Sequence, residues 1–170
     1  MILVALGSNQ TGPWGTPEES VRRALAALDL GGIRLRRCSS LIMTQPLGVT
    51  TQPPFVNAVA EVETALGPEA LLARLHLIER RAGRRRTLRW GPRTLDLDLI
   101  DYHGLICPPP ARPVLPHPGI AGRIFVLAPI AEIAPRWRHP KTRRSAADML
   151  RALDPAGEGG LLSARRPHRG

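Results

Sequence analysis

The stretch Leu95-Asp96-Leu97-Asp98-Leu99 constrains this chain more than any other. Its apolar and polar residues alternate with a period of two, which a β-strand matches and a helix does not. A strand here turns three leucines toward a core and sets both carboxylates together on the opposite face. Two carboxylates side by side repel unless a cation lies between them. Oxygen-only ligands suit Mg²⁺, which takes one or two carboxylates and completes its shell with water and substrate phosphates. A pair of Mg²⁺ ions bridged by Asp96 and Asp98 is therefore expected to clamp a phosphoryl centre. Asp101 breaks the alternation and is expected behind such a site or at the surface.

An isolated D-x-D is more often a solvated strand face. The preceding segment overrides that reading. Arg84-Arg85-Arg86 and Arg89-Trp90-Gly91-Pro92-Arg93 lie directly upstream of the aspartates. Acids that hold a metal beside a loop of guanidinium groups that hold phosphates are what a magnesium nucleotide requires. There is no G-x-x-x-x-G-K-[ST], so a P-loop is excluded. Nucleotidyltransferase patterns keep a Gly-Ser pair close to their D-x-D, whereas Ser8 and Asp96 are far apart. Gly7-Ser8-Asn9 reads as a turn, with backbone contact to a ligand as the alternative.

A third set of residues suits a flat ring. Phe55 and Asn57 share one strand face, and Trp90 and Phe125 adjoin loops. An Asn carboxamide donates to and accepts from the amide-like edge of a heterocycle, while aromatics stack on its faces. For any one of these residues taken alone, packing in the core is the better explanation. His117, in Pro116-His117-Pro118, is a possible phosphate contact or proton shuttle, although a lone loop histidine is usually neither.

The rest of the chain reads as a scaffold for these groups. Residues 1–6 form an apolar strand, and Thr16-Pro17-Glu18-Glu19 starts a helix with Val21, Ala24, Leu25 and Leu28 on one face. Residues 33–43 read as one imperfect, bulged strand, and 44–54 as a proline-rich loop. Phe55 to Glu63 is a strand with Val56, Ala58, Ala60 and Val62 on its apolar face. Gly67-Pro68 opens a helix with Leu71, Leu72, Leu75 and Ile78 inward, closed at Gly83. A helical patch follows at 123–134, bent or restarted at Pro129, and Ser145 caps a last short helix. The order strand, helix, strand, strand, helix, strand is the split β-α-β arrangement of ferredoxin-like folds. The expected class is α+β: an antiparallel sheet core, helices on its faces, and additional C-terminal helices. Residues 1–154 form the one expected domain, and the Gly- and Arg-rich residues 155–170 a mobile tail.

Composition narrows the setting. The formal net charge of +10 suits polyanionic partners, and with Lys141 the only lysine it is carried by arginine, whose planar fork matches phosphate. No apolar run approaches the roughly 20 residues that cross a membrane as a helix, and the first residues read as a strand rather than a secretion signal. Two cysteines, Cys38 and Cys107, are too few for a disulfide framework. A monomer in a reducing cytoplasm is expected.

Arg89-Trp90-Gly91-Pro92-Arg93-Thr94-Leu95-Asp96-Leu97-Asp98 resembles the signature of the 6-hydroxymethyl-7,8-dihydropterin pyrophosphokinases. Similar pieces stand in the same order: Leu6-Gly7-Ser8-Asn9, Thr44-Gln45-Pro46-Leu47-Gly48, Pro54-Phe55-Val56-Asn57, Glu79 before Gly83-Arg84, Pro116-His117-Pro118 and Arg123 to Pro129. The resemblance spans about residues 1–150. It implies diphosphate transfer from ATP to the pterin's hydroxymethyl group, with release of AMP, in tetrahydrofolate synthesis. It implies that Asp96 and Asp98 hold two Mg²⁺ ions and that Arg84 and Arg93 act on the phosphates. Glu79, Arg86, Arg112, His117 and Arg123 are implied on the ATP side. Thr44, Gln45, Leu47, Phe55, Asn57 and Phe125 are implied on the pterin side, and Trp90 lies against both substrates when the basic loop closes. Gln45 stands where some relatives carry Pro, and His76 where a relative carries Gln. The basic loop is one residue shorter than in some relatives, which leaves Arg85 as the alternative to Arg84.

The rival of another class is a nucleic-acid-binding module, favoured by the charge. It predicts steeply salt-dependent binding and leaves the two aspartates beside the basic loop unexplained. Another two-metal phosphoryl or nucleotidyl transferase is the second enzyme reading.

Overall fold

The computed structural model describes residues 1–46, 51–84, 93–153 and 161–165, the last by its backbone. The elements run β1 (Ile2–Ser8), α1 (Pro17–Leu28), β2 (Ile33–Cys38), β3 (Leu41–Thr44), β4 (Phe55–Thr64), α2 (Pro68–Arg81), β5 (Asp96–Tyr102), α3 (Ile124–Ile133), α4 (Ala146–Arg151) and β6 (Leu161–Arg165). The sheet order is β5-β1-β4-β3-β6, with β2 also on β4. Every pairing is antiparallel. The class is α+β, and the order of elements and strands is compatible with the split β-α-β arrangement.

Alternation sorts the side chains between two cores. Ile2, Val4 and Leu6 of β1, Val56, Ala58, Ala60 and Val62 of β4, and Leu97 and Leu99 of β5 meet α1 and α2 on one face. Leu3, Val59 and Ile100 meet Val126, Leu127 and Ile130 of α3 and Met149 of α4 on the other. The sheet is thus covered on both sides, except where α3 begins; there its outer face opens into a cleft.

Local signals set the helix ends. Thr16 and Glu19 form a reciprocal capping box at α1. At α2, Pro68 stands in the first turn and Gly83 follows the end with φ +81, a left-handed value that costs glycine little. Ser145 Oγ accepts the Asp148 amide at the start of α4.

Five expectations are corrected. β1 continues through Gly7 and Ser8, which pair with Asn57 and Val56, so these residues belong to the sheet and not to a turn. The single strand expected over 33–43 is two, because Ser39 Oγ accepts the Val59 amide and interrupts the ladder between them. Leu72 is half-buried; the buried stripe of α2 is Leu71, Leu75, Ile78 and Glu79, its carboxylate included. α3 continues through Pro129 without restarting. In the stretch expected as a tail without secondary structure, residues 161–165 form a strand paired with β3. Among the described residues no helix is long and apolar enough to cross a membrane.

Candidate active site

The cleft floor is three strands wide. Gly7 of β1 pairs with Asn57 of β4 on one side and with Asp96 of β5 on the other. Ala5 stands opposite Asp98. Strands lie about 4.8 Å apart, so Asn57 and Asp96 are separated by about 10 Å across one glycine. Small residues in the middle strand keep that span open. A Cβ on Gly7 would fall 2.9 Å from Asn57 Oδ1.

Asn57 is buried, and its Nδ2 donates to Thr44 Oγ1 at 2.9 Å. Thr44, Gln45, Pro46, Gln52 and Phe55 form the wall on this side. The other wall comes from the start of α3, where Arg123, Phe125 and Val126 line the cleft. The Arg123 guanidinium lies 5.6 Å from the Phe125 ring centre. Gly119 makes room for it, because a Cβ there would meet Arg123 Cζ at 2.6 Å.

The carboxylates stand on the same face, as alternation requires. Leu95, Leu97 and Leu99 are buried in the core beneath, while Asp96 and Asp98 line the cleft. Asp96 is held by two guanidinium groups: Arg93, and Arg84 at 2.6 Å. Arg84 also pairs with Glu79. Asp98 has looser company, His117 Nε2 and Arg123 Nη1, each at 3.8 Å. Burial, then the Asp96 charge, pushes the Asp98 carboxyl above its ordinary pKa, against the pull of His117 and Arg123. Burial pushes the His117 pKa down, against the opposing pull of Asp98. His117 Nδ1 accepts the Gly119 amide at 3.1 Å, so the neutral ring carries its proton on Nε2, toward Asp98.

Glu79 is not in the cleft but beneath its edge. Its Oε1 accepts the Leu97 amide of the edge strand β5 at 2.8 Å. Burial pushes this carboxyl up to about 7, although the Leu97 amide and Arg84 both pull it down. Its connection to the cleft runs through Arg84.

Most of the expected residues converge here. Thr44, Gln45, Phe55, Asn57, Arg93, Asp96, Asp98, Arg123 and Phe125 line one cleft. Arg84 and His117 reach it through the two aspartates. Arg112 is exposed on the proline-rich segment and does not line the cleft. Leu47, Arg86 and Trp90, and the loop closure assigned to Trp90, lie outside the described residues. Asp101 is buried, not superficial: it accepts Trp137 Nε1 at 2.7 Å and the Gly104 amide at 2.9 Å.

The sequence reading did not single out Gln52 or Ala5 as lining the cleft, or Ser8 and Asn9 as its supports. Small residues in β1 were a usable signal for the floor once β1 was placed between two strands that carry polar side chains. Gln52 had no such signal, since its place depends on a contact with Asn9, 43 residues away.

The two aspartates fit a magnesium site by their chemistry. They are adjacent oxygen donors on one strand face, one of them destabilised as an anion by burial and by its neighbour, with room in the cleft for phosphate and water. Among the described residues no third His, Cys, Asp or Glu completes a ligand group.

Known proteins resemble this chain over most of its length. Residues 3–135 match the family model described as 7,8-dihydro-6-hydroxymethylpterin-pyrophosphokinase. A 2-amino-4-hydroxy-6-hydroxymethyldihydropteridine pyrophosphokinase of Pseudomonas aeruginosa is 44% identical over 143 residues, covering 84% of this chain and 85% of its own. A protein of the same name from Synechocystis is 39% identical over 153 residues, covering 89% of this chain and 75% of its own. A mitochondrial folate synthesis bifunctional protein of Arabidopsis thaliana is 40% identical over 132 residues, 78% of this chain but 23% of its own. The chain belongs to the 7,8-dihydro-6-hydroxymethylpterin-pyrophosphokinase family.

Proposed function

We propose that this chain transfers the terminal diphosphate of ATP to the hydroxymethyl oxygen of 6-hydroxymethyl-7,8-dihydropterin, a step of folate synthesis. The new bond joins that oxygen to the β-phosphorus. The bond from the β-phosphorus to the α–β bridging oxygen breaks, AMP leaves, and the hydroxyl proton is released. The observation that carries the reading is the row Asn57–Gly7–Asp96 across the sheet, which sets a ring-edge recogniser beside a carboxylate pair in one cleft.

The roles divide along that row. Asn57 offers the pterin edge its carboxamide oxygen, with its NH₂ oriented by Thr44, and Phe55 and Phe125 flank the ring. Gln45 and Leu47 belong to the same side. Asp96 and Asp98 would hold two Mg²⁺ ions, which supply charge neutralisation on the triphosphate when bound. Arg84 and Arg93, now on Asp96, and Arg123, near Asp98, are placed to grip phosphate oxygens. Charge that develops on the leaving α-phosphate oxygens is met by these fixed guanidinium groups. His117, neutral and with Nε2–H toward Asp98, contributes a donor. Arg86, Arg112, Trp90 and Glu79 complete the proposed nucleotide side, Glu79 by holding Arg84.

Neither Cys38 nor Cys107 is in a disulfide, which suits the reducing cytoplasmic setting of this reading. Helices on both sheet faces support action as a monomer. The carboxylates in the arginine-lined cleft disfavour a nucleic-acid partner, whose backbone they would repel.

Purified protein with Mg-ATP and 6-hydroxymethyl-7,8-dihydropterin should yield AMP and the pterin diphosphate in equal amounts, and chelation should stop it. ADP with a pterin monophosphate would make the chain an ordinary kinase. No nucleotide turnover together with salt-sensitive retention of RNA or DNA would favour the binding-module reading.

A further inference from the structure

Three separate segments meet at Asn9, a residue 1% exposed. Its Nδ2 donates to Gln52 Oε1 at 3.1 Å and to the Pro53 carbonyl at 3.2 Å. Its Oδ1 accepts the Arg93 amide at 2.9 Å. Its own amide donates to the Arg93 carbonyl at 3.1 Å, and the Gln10 amide to the same carbonyl at 3.2 Å. One residue back, Ser8 Oγ donates to the Thr94 carbonyl at 2.7 Å. The carboxamide orientation follows from its partners: a flipped side chain would face its NH₂ to the Arg93 N–H and its oxygen to the Pro53 carbonyl.

Asn9 itself does not line the cleft, whereas two of its partners, Gln52 and Arg93, do. Arg93 in turn holds Asp96. The chain direction into Asp96, and so the placing of both aspartates, is tied at Arg93 and Thr94 to the end of β1. The wall at 52–53, which leads into Phe55 and Asn57, is tied to the same carboxamide.

We infer that Asn9 is a positioning residue for the proposed diphosphate transfer, acting through Arg93 and through the Gln52–Pro53 wall. The inference rests on that reading of the site. Misplacement of reacting groups by about 1 Å can cost about 100-fold in rate, and alanine at this position removes the side-chain partners of three groups at once.

The test is a double-mutant cycle on kcat for AMP formation. Asn9→Ala should lower kcat by about 10- to 100-fold in protein whose unfolding midpoint stays above the assay temperature. In an Arg93→Ala background the same change should lower kcat by a clearly smaller factor, because the route through the Arg93 side chain is already lost and only the Gln52–Pro53 wall remains. If Asn9→Ala does not fold, Asn9→Asp tests the wall in a cycle with Gln52→Ala, since it keeps the acceptor for the Arg93 amide and loses the donor to Gln52 and Pro53. Equal losses in both backgrounds, or an unchanged kcat with only a lower unfolding midpoint, would overturn the positioning role. AMP formation by the unaltered protein judges the reading of the site separately. Its absence would remove that reading and this inference with it, whereas a failed cycle on an active enzyme removes the inference alone.

Discussion

At the scale of single residues, the cleft depends on what Gly7 lacks and on what Asp98 carries. Gly7→Ala would set a methyl group 2.9 Å from Asn57 Oδ1, the atom proposed to meet the pterin. Asn57 cannot swing away without breaking its bond to Thr44. We expect Gly7→Ala to weaken pterin binding by about 1–3 kcal/mol, the usual cost of an unpaired buried polar partner, with nucleotide affinity unchanged; isothermal titration of each ligand checks this. Equal loss of both ligands would point to a folding defect instead. Asp96→Asn and Asp98→Asn should each lower turnover by orders of magnitude. Asp98→Asn should not lower the unfolding midpoint measured in a chelator, because it removes a carboxylate that burial and Asp96 already disfavour. Near-normal magnesium-dependent activity in either variant would show that the residue is not a metal ligand.

At the scale of elements, β5 is an edge strand, and an edge leaves backbone donors exposed. Glu79 from α2 meets one of them, the Leu97 amide, and also holds Arg84. Its folded pKa, about 7, lies above the ordinary glutamate value, so between pH 4.5 and 7 the folded state binds the proton that the unfolded chain has released. Stability from this group is therefore greatest below the unfolded pKa and falls as pH rises through the folded one. At 1.36 kcal/mol per unit, the fall is on the order of 3 kcal/mol. Denaturant titrations in a chelator should show that slope in the unaltered protein and not in Glu79→Gln. Parallel profiles would mean that Glu79 is not the group responsible. The element boundaries show what short-range sequence decides. The capping box at Thr16 and Glu19, the glycine after α2 and the serine before α4 act within a turn of their own helices, so they were legible. The break at Ser39 was not, because its cause is a hydrogen bond to Val59 on another strand.

At the scale of the whole molecule, β6 adds to the β3 edge with Thr44 opposite Leu161, and Thr44 orients Asn57. Ending the chain at Leu153 should lower the unfolding midpoint and raise the KM for pterin more than that for ATP. An unchanged midpoint and KM would mean that β6 does not support the cleft. Most of the described residues toward which the alternation and the signature pointed do converge, because period-two alternation sorts a strand's side chains to its two faces without reference to the rest of the chain. By itself the sequence therefore determined that Leu95, Leu97 and Leu99 go to a core and that Asp96 and Asp98 emerge together. It also determined the order of elements that brings β1 between β4 and β5. Tertiary structure alone decided which guanidinium meets which carboxylate, that Glu79 lies beneath the cleft rather than in it, that Asp101 is buried on Trp137, and that Ser8 and Asn9 brace Arg93 and Thr94. The physical reason is reach. Periodicity and capping act over a few residues, whereas the Asn9 bonds join groups 43 to 84 positions apart and form only after the sheet has set its strand order and register.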